Sequence, residues 1–249
     1  MQSPTAPDSP LAGKNALVTG GSTGIGRAIA HALARKGAKV MICGRDQSDL
    51  DEALEGLPLD QGELLGVIAD VGELAGVTKL FRELDEAFGT IDILVNNAAV
   101  AAGSAADMPL EEIDYVVRTN LLGYLTCAHE AVARMRASGG GALVNIGSMS
   151  AETREKGSSV YVATKAAVRG FSGALRKEVN PDGIAVALIE PGKTGSDMQP
   201  HDPEEQRELQ ERGEMLTAED VAEAVLFCLL QPKRSSVVEV QIRPLHQLI

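Results

Sequence analysis

Short runs of apolar and β-branched residues alternate along the chain with longer segments whose apolar positions recur every three or four residues. Runs of the first kind predict strands, and segments of the second kind predict amphipathic helices. The predicted strands cover residues 15–19, 40–43, 64–69, 91–96, 142–146, 185–189 and 237–242. The predicted helices cover residues 25–36, 74–88, 114–137 and 159–180, and a last one begins after Thr217, whose hydroxyl can cap it.

The alternation of strands and helices predicts an α/β fold in which parallel strands are joined by helices. The first strands are apolar on both faces, as in a sheet that helices cover on both sides. No repeat or linker interrupts the pattern after residue 10, so we expect a single doubly wound domain over residues 11–249 with a seven-stranded parallel sheet. Residues 1–10, with three prolines, are expected to form a flexible N-terminal tail.

A polar segment at residues 193–215 stands outside this pattern, between the sixth predicted strand and the last helix. Because it follows the carboxyl end of a strand, where such sheets bind ligands, we expect it to border the substrate. Its charged stretch at 201–212 can form either a solvated helix or a charged binding face, and the helix is the simpler interpretation.

The charge of the chain limits the classes of partner. Among 249 residues, 23 Lys and Arg stand against 35 Asp and Glu, which gives a formal net charge of -12. An acidic surface repels phosphate polymers and anionic lipids, so we expect neither nucleic-acid nor membrane binding. The sparse Cys43, Cys127 and Cys228, together with an N-terminus unlike a signal peptide, indicate a cytoplasmic location. The four histidines have no neighbouring ligand residues, so no metal site is predicted.

Residues 19–26 join the first predicted strand directly to the first predicted helix. Gly20, Gly24 and Gly26 allow a tight turn and let the backbone approach a pyrophosphate, which the free amides at the start of a helix can bind. Glycines alone are typical of any tight turn. Their position between a strand and a helix favours a dinucleotide site.

The tip of the second predicted strand indicates which dinucleotide is bound. An NAD site has an acidic residue there that binds the ribose 2'-hydroxyl, but this chain has Gly44 followed by Arg45. Because a guanidinium can pair with a 2'-phosphate, we predict NADP, with NAD the less favoured cofactor. Asp70, at the tip of the third strand, could accept a hydrogen bond from the adenine amino group or cap the following loop.

Several motifs in this chain are similar, in order and spacing, to those of the short-chain dehydrogenase/reductase family. They are T-G-x-x-x-G-I-G at 19–26, N-N-A at 96–98, N-L-x-G beginning at Asn120, the strand end at Ser148, Y-x-x-x-K from Tyr161 to Lys165, and P-G at 191–192. The similarity covers residues 11–242, and the chain is identified as a member of that family, with its NAD(P)-binding Rossmann fold.

The resemblance implies a set of residues around the cofactor and an assembly of several subunits. The expected assembly is a homo-oligomer, a dimer or tetramer, with the homotetramer preferred. The expected cofactor-binding residues are Gly20, Ser22, Thr23, Gly24, Ile25, Gly26, Arg45, Asp70, Val71, Asn97, Ala98, Tyr161, Lys165, Pro191, Gly192 and Thr194.

Tyr161 and Lys165 lie four residues apart on a predicted helix and therefore share one face. We predict Tyr161 as the general acid/base. Lowering its pKa by about 3 units takes on the order of 4 kcal/mol, of which the Lys165 ammonium supplies part and the positive nicotinamide ring of the oxidised cofactor supplies more. Ser148, at a strand tip, can orient the substrate oxygen. The resemblance further implies that Lys165 holds the nicotinamide ribose and that Asn120 supports a proton-relay water.

The sequence therefore predicts an NADP-dependent oxidoreductase that interconverts a secondary alcohol and a ketone, or an aldehyde, by hydride transfer to or from a small molecule. A second interpretation is a non-catalytic NADP-binding sensor or scaffold, although such a protein would not need the four catalytic residues. For the substrate, a 3-hydroxy acid dehydrogenase or a 3-oxoacyl-thioester reductase is the alternative branch.

Overall fold

A parallel sheet of seven strands forms the centre of the protein, in the order β3-β2-β1-β4-β5-β6-β7. The computed structural model describes residues 9–55, 63–199 and 201–247, so most of the predicted N-terminal tail lies outside the described residues. The strands are β1 (Asn15–Thr19), β2 (Lys39–Gly44), β3 (Glu63–Ile68), β4 (Ile93–Asn96), β5 (Gly141–Ile146), β6 (Ile184–Pro191) and β7 (Glu239–Ile242).

The order of the strands reverses beside β1. This strand pairs in parallel with β2 on one side, where Ala16 lies opposite Val40, and with β4 on the other, where Leu17 lies opposite Leu94. The chain therefore winds outward in both directions from β1. In open parallel sheets, ligands bind outside the carboxyl ends of the strands at such a reversal.

Helices cover both faces of the sheet, as the sequence predicted. None of the helices in the described part of the chain is long and apolar enough to cross a membrane. The helices are α1 (Gly24–Arg35), α2 (Gln47–Glu55), α3 (Leu74–Phe88), α4 (Leu110–Val117), α5 (Gly123–Ser138), α6 (Ser150–Thr153), α7 (Ser159–Val179), α8 (Pro203–Glu211) and α9 (Ala218–Leu229).

The sheet separates two apolar cores. On one face, Ile29 of α1 and Val225 of α9 are fully buried against the strands. On the other face, Leu84 of α3 and Met135 of α5 are fully buried. Burying one such side chain stabilises the fold by about 1.5–3 kcal/mol, so the two cores together fix the sheet and the strand tips that it carries.

The predicted helix at residues 114–137 is wrong in its start and its continuity. The helical region begins at Leu110, and a π-helical turn at Arg118–Leu122 separates α4 from α5. A π turn holds one extra residue, and here it contains Asn120, a polar residue that is fully buried. The apolar spacing of the sequence does not reveal this change because apolar residues continue on both sides of it.

The predicted start of the last helix and the predicted helix at 201–212 agree with the structure. The Thr217 hydroxyl accepts a hydrogen bond from the amide of Asp220 at 3.2 Å, and the Asp220 carboxylate accepts one from the Thr217 amide at 2.8 Å, so α9 begins with a capping box. In the segment 193–215, the charged stretch forms α8. Asp202 caps that helix by accepting hydrogen bonds from the amides of Glu204 and Glu205. The stretch is therefore a helix, as in the solvated-helix interpretation.

The three cysteines are free thiols packed among apolar side chains. Cys43 and Cys127 are buried, and burial raises the pKa of Cys43 to about 11. A thiol with a raised pKa is protonated and unreactive near neutral pH. These residues therefore pack as small apolar side chains.

Candidate active site

A cleft of about 640 Å³ opens at the carboxyl ends of the strands. Its walls contain every cofactor-binding and catalytic residue that the sequence predicted, except Asn120. The fold thus brings together residues that lie up to about 170 positions apart in the chain. Their individual roles stay predictions, but their common location is a property of the fold.

The glycine turn at residues 19–26 forms the floor of the cleft beneath the start of α1. Gly20 and Gly24 have φ values of +62° and +48°, a region that favours glycine. A side chain at Gly26 would collide with the carbonyl of Gly20. Thr23 precedes α1 without capping it through its side chain, so the first amides of the helix have no side-chain acceptor from this residue. Such amides can bind a phosphate.

Thr19 and Asn97 hold the glycine turn against the end of β4. The hydroxyl of Thr19 accepts hydrogen bonds from the amides of Asn97 at 3.0 Å and Ala98 at 3.1 Å. The side-chain amide of Asn97 donates to the carbonyls of Thr19 and Gly20 at 3.0 and 3.1 Å. Asn97 and Ala98 line the cleft, but Asn97 also shapes the turn that would bind the pyrophosphate.

The tip of β2 has no room for a side chain at Gly44. A Cβ atom there would lie 2.5 Å from the hydroxyl oxygen of Ser22. The acidic residue of a typical NAD site is therefore excluded by packing, unless Ser22 moves. The next residue, Arg45, is exposed and lines the cleft beside Asp46 and Asp49.

Tyr115 of α4 connects Arg45 with Asp70. The guanidinium of Arg45 donates a hydrogen bond to the Tyr115 hydroxyl, and its carbon lies 5.6 Å from the centre of the ring. The hydroxyl donates to Asp70 at 3.0 Å, and the other Asp70 oxygen accepts from the amide of Gly72 at 2.8 Å. Asp70 therefore does cap its loop, the second of the two roles considered for it, and its contact with adenine stays a prediction.

Ser148, Tyr161 and Lys165 meet at the end of β5. Ser148 follows the strand, and Tyr161 and Lys165 lie one turn apart near the start of α7. The Ser148 hydroxyl hydrogen-bonds the Tyr161 phenol. The amine of Lys165 is fully buried and donates to the carbonyl of Ile146 at 2.9 Å and to the hydroxyl of Tyr124 at 3.3 Å.

The ionisation of this group is governed mainly by burial. Burial raises the pKa of the Tyr161 phenol, the hydrogen bond with Ser148 lowers it, and the carboxylate of Glu155 raises it. Burial lowers the pKa of the Lys165 amine to about 7. The lowering of the Tyr161 pKa by Lys165 together with the bound dinucleotide stays a prediction. Near neutral pH the phenol is protonated and can donate a proton.

Asn120 lies behind the cleft rather than in its wall. Its side-chain oxygen accepts from the amide of Val100 at 2.8 Å, and its side-chain nitrogen donates to the carbonyl of Val100 at 2.8 Å. This pair fixes the segment that follows β4 beside the cleft. The amide keeps one N–H and one lone pair for other partners. The predicted support of a proton-relay water has to come from these or from the backbone of the π turn.

The segment after β6 folds back over the glycine turn. Thr194 is buried, donates its hydroxyl proton to the carbonyl of Gly192 at 3.0 Å, and forms an isolated backbone bridge with Leu216. A side chain at Gly24 would begin 3.3 Å from the Cβ of Ser196. Residues of this segment, including Met198, line the cleft. The predicted substrate-bordering segment therefore borders the cleft.

Sequence reasoning missed Tyr115 and Tyr124, which contact predicted site residues. Tyr115 is 70 residues from Arg45, and Tyr124 is 41 residues from Lys165. Neither belongs to a motif, and both occur in a region predicted as one continuous helix. A tyrosine hydroxyl on a buried helix usually has a hydrogen-bond partner, and this expectation is the signal that could have pointed to Tyr124.

Comparison with known proteins agrees with this architecture. A family model described as short chain dehydrogenase matches residues 14–207. The chain belongs to the short-chain dehydrogenase family. An uncharacterized oxidoreductase of Staphylococcus aureus strain MRSA252 is 34% identical to this short-chain dehydrogenase over 236 residues, which cover 94% of this chain and 98% of that protein.

Solved structures extend the likeness of this short-chain dehydrogenase to three dimensions. A short chain dehydrogenase from Burkholderia cenocepacia J2315, in complex with NADP, is 32% identical, with a TM-score of 0.82 over 94% of this chain and 98% of that one. A dehydrogenase/reductase from Sinorhizobium meliloti 1021 is 30% identical, with a TM-score of 0.84 over 95% and 96%. The predicted family and the predicted Rossmann fold are confirmed.

Family membership fixes the class of reaction. The short-chain dehydrogenase is an oxidoreductase that acts on the CH–OH group of a small-molecule substrate with a nicotinamide dinucleotide. The predicted enzyme class is therefore confirmed. The geometry of the cleft bears on three further points. These are the choice between NADP and NAD, the substrate, and the roles of individual residues.

Proposed function

We propose that this short-chain dehydrogenase prefers NADP and interconverts a secondary alcohol and a ketone, or an aldehyde, with Tyr161 as the general acid/base. The observation that carries the proposal is the meeting of Ser148, Tyr161 and Lys165 in the same cleft as Arg45 and the glycine turn. A sensor or scaffold would need the dinucleotide-binding part of this cleft, but it would not need the hydroxyl pair and the buried amine.

The residues of the cleft fit a dinucleotide. Gly20, Gly24 and Gly26 keep side chains out of the turn at the start of α1, where backbone amides can bind a pyrophosphate. In this proposal Lys165 and Thr194, which also line the cleft, hold the nicotinamide half. The group supplies or takes up a hydride when it is bound. The protein's own side chains orient the substrate and transfer the proton.

Ser148 and Tyr161 handle the proton of the reaction. Ser148 orients the carbonyl oxygen beside the phenol, and the protonated phenol of Tyr161 donates its proton to that oxygen as the carbonyl becomes an alcohol. The raised pKa of Tyr161 keeps this proton in place near neutral pH.

The preference for NADP is supported by charge and by space at the tip of β2. Ser22 fills the volume beside Gly44, so an acidic side chain that would bind the 2'-hydroxyl of NAD would require Ser22 to move. Arg45 provides a cation that can pair with a 2'-phosphate. The Burkholderia relative, solved in complex with NADP, supports the same choice.

Replacing Arg45 should separate the two dinucleotides. Arg45→Ala is expected to weaken NADPH binding about 10- to 100-fold, because a charge-assisted pair with phosphate contributes about 1.5–3 kcal/mol, while NADH binding changes by about 3-fold or less. Binding is measured by quenching or enhancement of nicotinamide fluorescence. Arg27→Ala, which removes an arginine paired with Glu52 on the surface of α1, is the matched control. Equal loss for NADPH and NADH would contradict the assignment.

Glu155 should tune the pH dependence of the reaction. Its carboxylate raises the pKa of Tyr161, so Glu155→Gln should lower that pKa. Carbonyl reduction needs the protonated phenol, and its alkaline decline should therefore move to lower pH in this variant. The measurement is kcat/KM for reduction against pH. Glu152→Gln removes a neighbouring carboxylate that pairs with Arg169 and Gln241 instead, and it should leave the decline where it is.

The function itself is tested by purified protein with NADPH and a panel of ketones, aldehydes, 3-oxo acids and 3-oxoacyl thioesters. We expect consumption of NADPH with at least one class, and the class that reacts distinguishes the substrate branches. Tight NADPH binding without turnover on any member of the panel would favour the sensor or scaffold instead.

We also propose that the enzyme is a cytoplasmic homo-oligomer. Leu122 and Leu125 expose apolar surface beside a groove of about 370 Å³ between α5 and α7, lined in part by Phe171 and Leu175. Apolar surface of this kind is typical of subunit contacts. The three free thiols suit a reducing compartment.

A further inference from the structure

Tyr124 places a second phenol inside the catalytic region. Its side chain is among the largest fully buried in the described part of the chain, at 1% exposure. The ring packs with Val168 of α7 and Leu188 of β6 in a small apolar cluster. Its backbone carbonyl accepts from the side-chain amide of Asn96 at 3.1 Å, so both the backbone and the ring are held.

The hydroxyl of Tyr124 forms hydrogen bonds with both the amine of Lys165 and the carbonyl of Ile146. It donates to the carbonyl of Ile146 at 3.0 Å and accepts from the amine of Lys165 at 3.3 Å. The amine also donates to that carbonyl, at 2.9 Å, and lies 5.2 Å from the centre of the Tyr124 ring. Two of the three N–H bonds of the charged amine are thus used by these two oxygen atoms.

Packing alone does not explain a tyrosine at this position. A phenylalanine would fill the same apolar cluster and would not have to bury a hydroxyl, which is costly without a partner. Lys165 already donates to the Ile146 carbonyl, so that carbonyl does not need the phenol. What the hydroxyl adds is an acceptor for the amine, since the Ile146 carbonyl is the other acceptor within reach.

We infer that Tyr124 is a positioning residue that fixes the Lys165 amine at the base of the cleft and stabilises its charged form, leaving the third N–H for the ligand side. The inference deepens the proposed function and rests on it for the catalytic consequence, because Lys165 acts there beside Tyr161. The position of the amine does not depend on the proposed function, because the three hydrogen bonds among Tyr124, Lys165 and Ile146 fix it.

The charge of Lys165 depends on what surrounds it. Burial lowers the pKa of the amine to about 7. The hydrogen bond that the oxygen of Tyr124 accepts favours the charged form and so acts in the opposite direction. The titratable groups beside the pair are Tyr161, on the same helix as Lys165, and Cys127 on α5, and Glu155 before α7 acts on Tyr161. Burial raises the pKa of Tyr124 and Cys127 well above their usual values, so both stay neutral while Lys165 titrates.

The first test needs no turnover. Urea unfolding of the protein is measured from pH 5 to 10, with and without Lys165→Met, and the difference isolates the titration of the amine. That difference should be constant at low pH and begin to change near the folded pKa of about 7. In Tyr124→Phe, this onset should lie about one pH unit lower, because a hydrogen bond to a charged group is lost. An unchanged onset would overturn the inference whether or not the enzyme has a substrate.

The second test uses the reaction and separates positioning from folding. Tyr124→Phe should lower kcat about 10-fold with little change in the KM of the carbonyl substrate, because a misplaced or neutral amine affects the step at Tyr161 rather than substrate binding. The pH profile of kcat should move with the onset found by unfolding. Ser138→Ala removes a hydroxyl from the exposed end of α5, outside the cleft, and should leave that profile in place. Equal pH profiles for Tyr124→Phe and the unmodified enzyme would contradict the inference.

Discussion

Tyr161→Phe is expected to lower kcat about 10²- to 10⁴-fold, the usual contribution of a general acid or base. The change removes one hydroxyl and keeps the ring, so the cleft retains its shape. NADPH binding should therefore stay within about 3-fold of the unmodified protein, because the glycine turn and Arg45 are untouched. The measurements are steady-state rates and NADPH fluorescence titration on the same preparation.

Ser148→Ala provides the companion to this experiment. Ser148 hydrogen-bonds the phenol, and this bond lowers the pKa of Tyr161, so its loss should raise that pKa further and reduce the rate without abolishing it. Turnover by Tyr161→Phe at the unmodified rate would refute the assigned role, even if Ser148→Ala were impaired.

Lys165→Met is expected to have the second largest effect, on stability as well as on rate. The folded pKa of the amine is about 7, against 10.5 for an ordinary lysine. Burying the charged amine therefore costs roughly 5 kcal/mol, at 1.36 kcal/mol for each pKa unit. Methionine has a similar length and no charge, and Tyr124 can still donate to the Ile146 carbonyl. The variant should be more stable below pH 7 and inactive or nearly so.

The sign of the pH dependence follows from the lowered pKa. Between about pH 7 and 10.5 the unfolded chain keeps the Lys165 proton while the folded protein has lost it, so the stability of the unmodified protein rises with pH in that window. The advantage of Lys165→Met should shrink over the same window. Lys177→Met, on the exposed side of α7, should show no such dependence, and a parallel pH course for the two variants would contradict the pKa of Lys165.

Much of the fold could be predicted because the signals for it are local. The alternation of strands and helices, the glycine turn and the Thr217 cap each depend on residues close together in the chain. The π turn at residues 118–122 could not be predicted from the apolar spacing, and its Asn120 side chain makes its contacts with Val100, 20 residues away in the chain. The short α2 helix was missed for a related reason, because only Leu50 and Ala53 of it are buried.

The candidate site could likewise be predicted only in part. Motif spacing was sufficient to name Ser148, Tyr161 and Lys165, and the fold brings them together. The ionisation of these groups could not be predicted, because the pKa of a buried phenol or amine depends on its depth in the protein and on every neighbour. Tyr124, the partner of Lys165, lies outside every motif, so only the tertiary structure shows that it contacts the amine.

The most direct test of the proposed function is to follow the hydride. NADPH labelled with deuterium on either face of C4 of the nicotinamide is incubated with the enzyme and a carbonyl compound from the panel, and the alcohol is analysed by mass spectrometry. The account predicts that the label of one face appears in the product, one deuterium on the carbinol carbon of each alcohol formed. Consumption of NADPH with no deuterium in any product, from either labelled form, would contradict it.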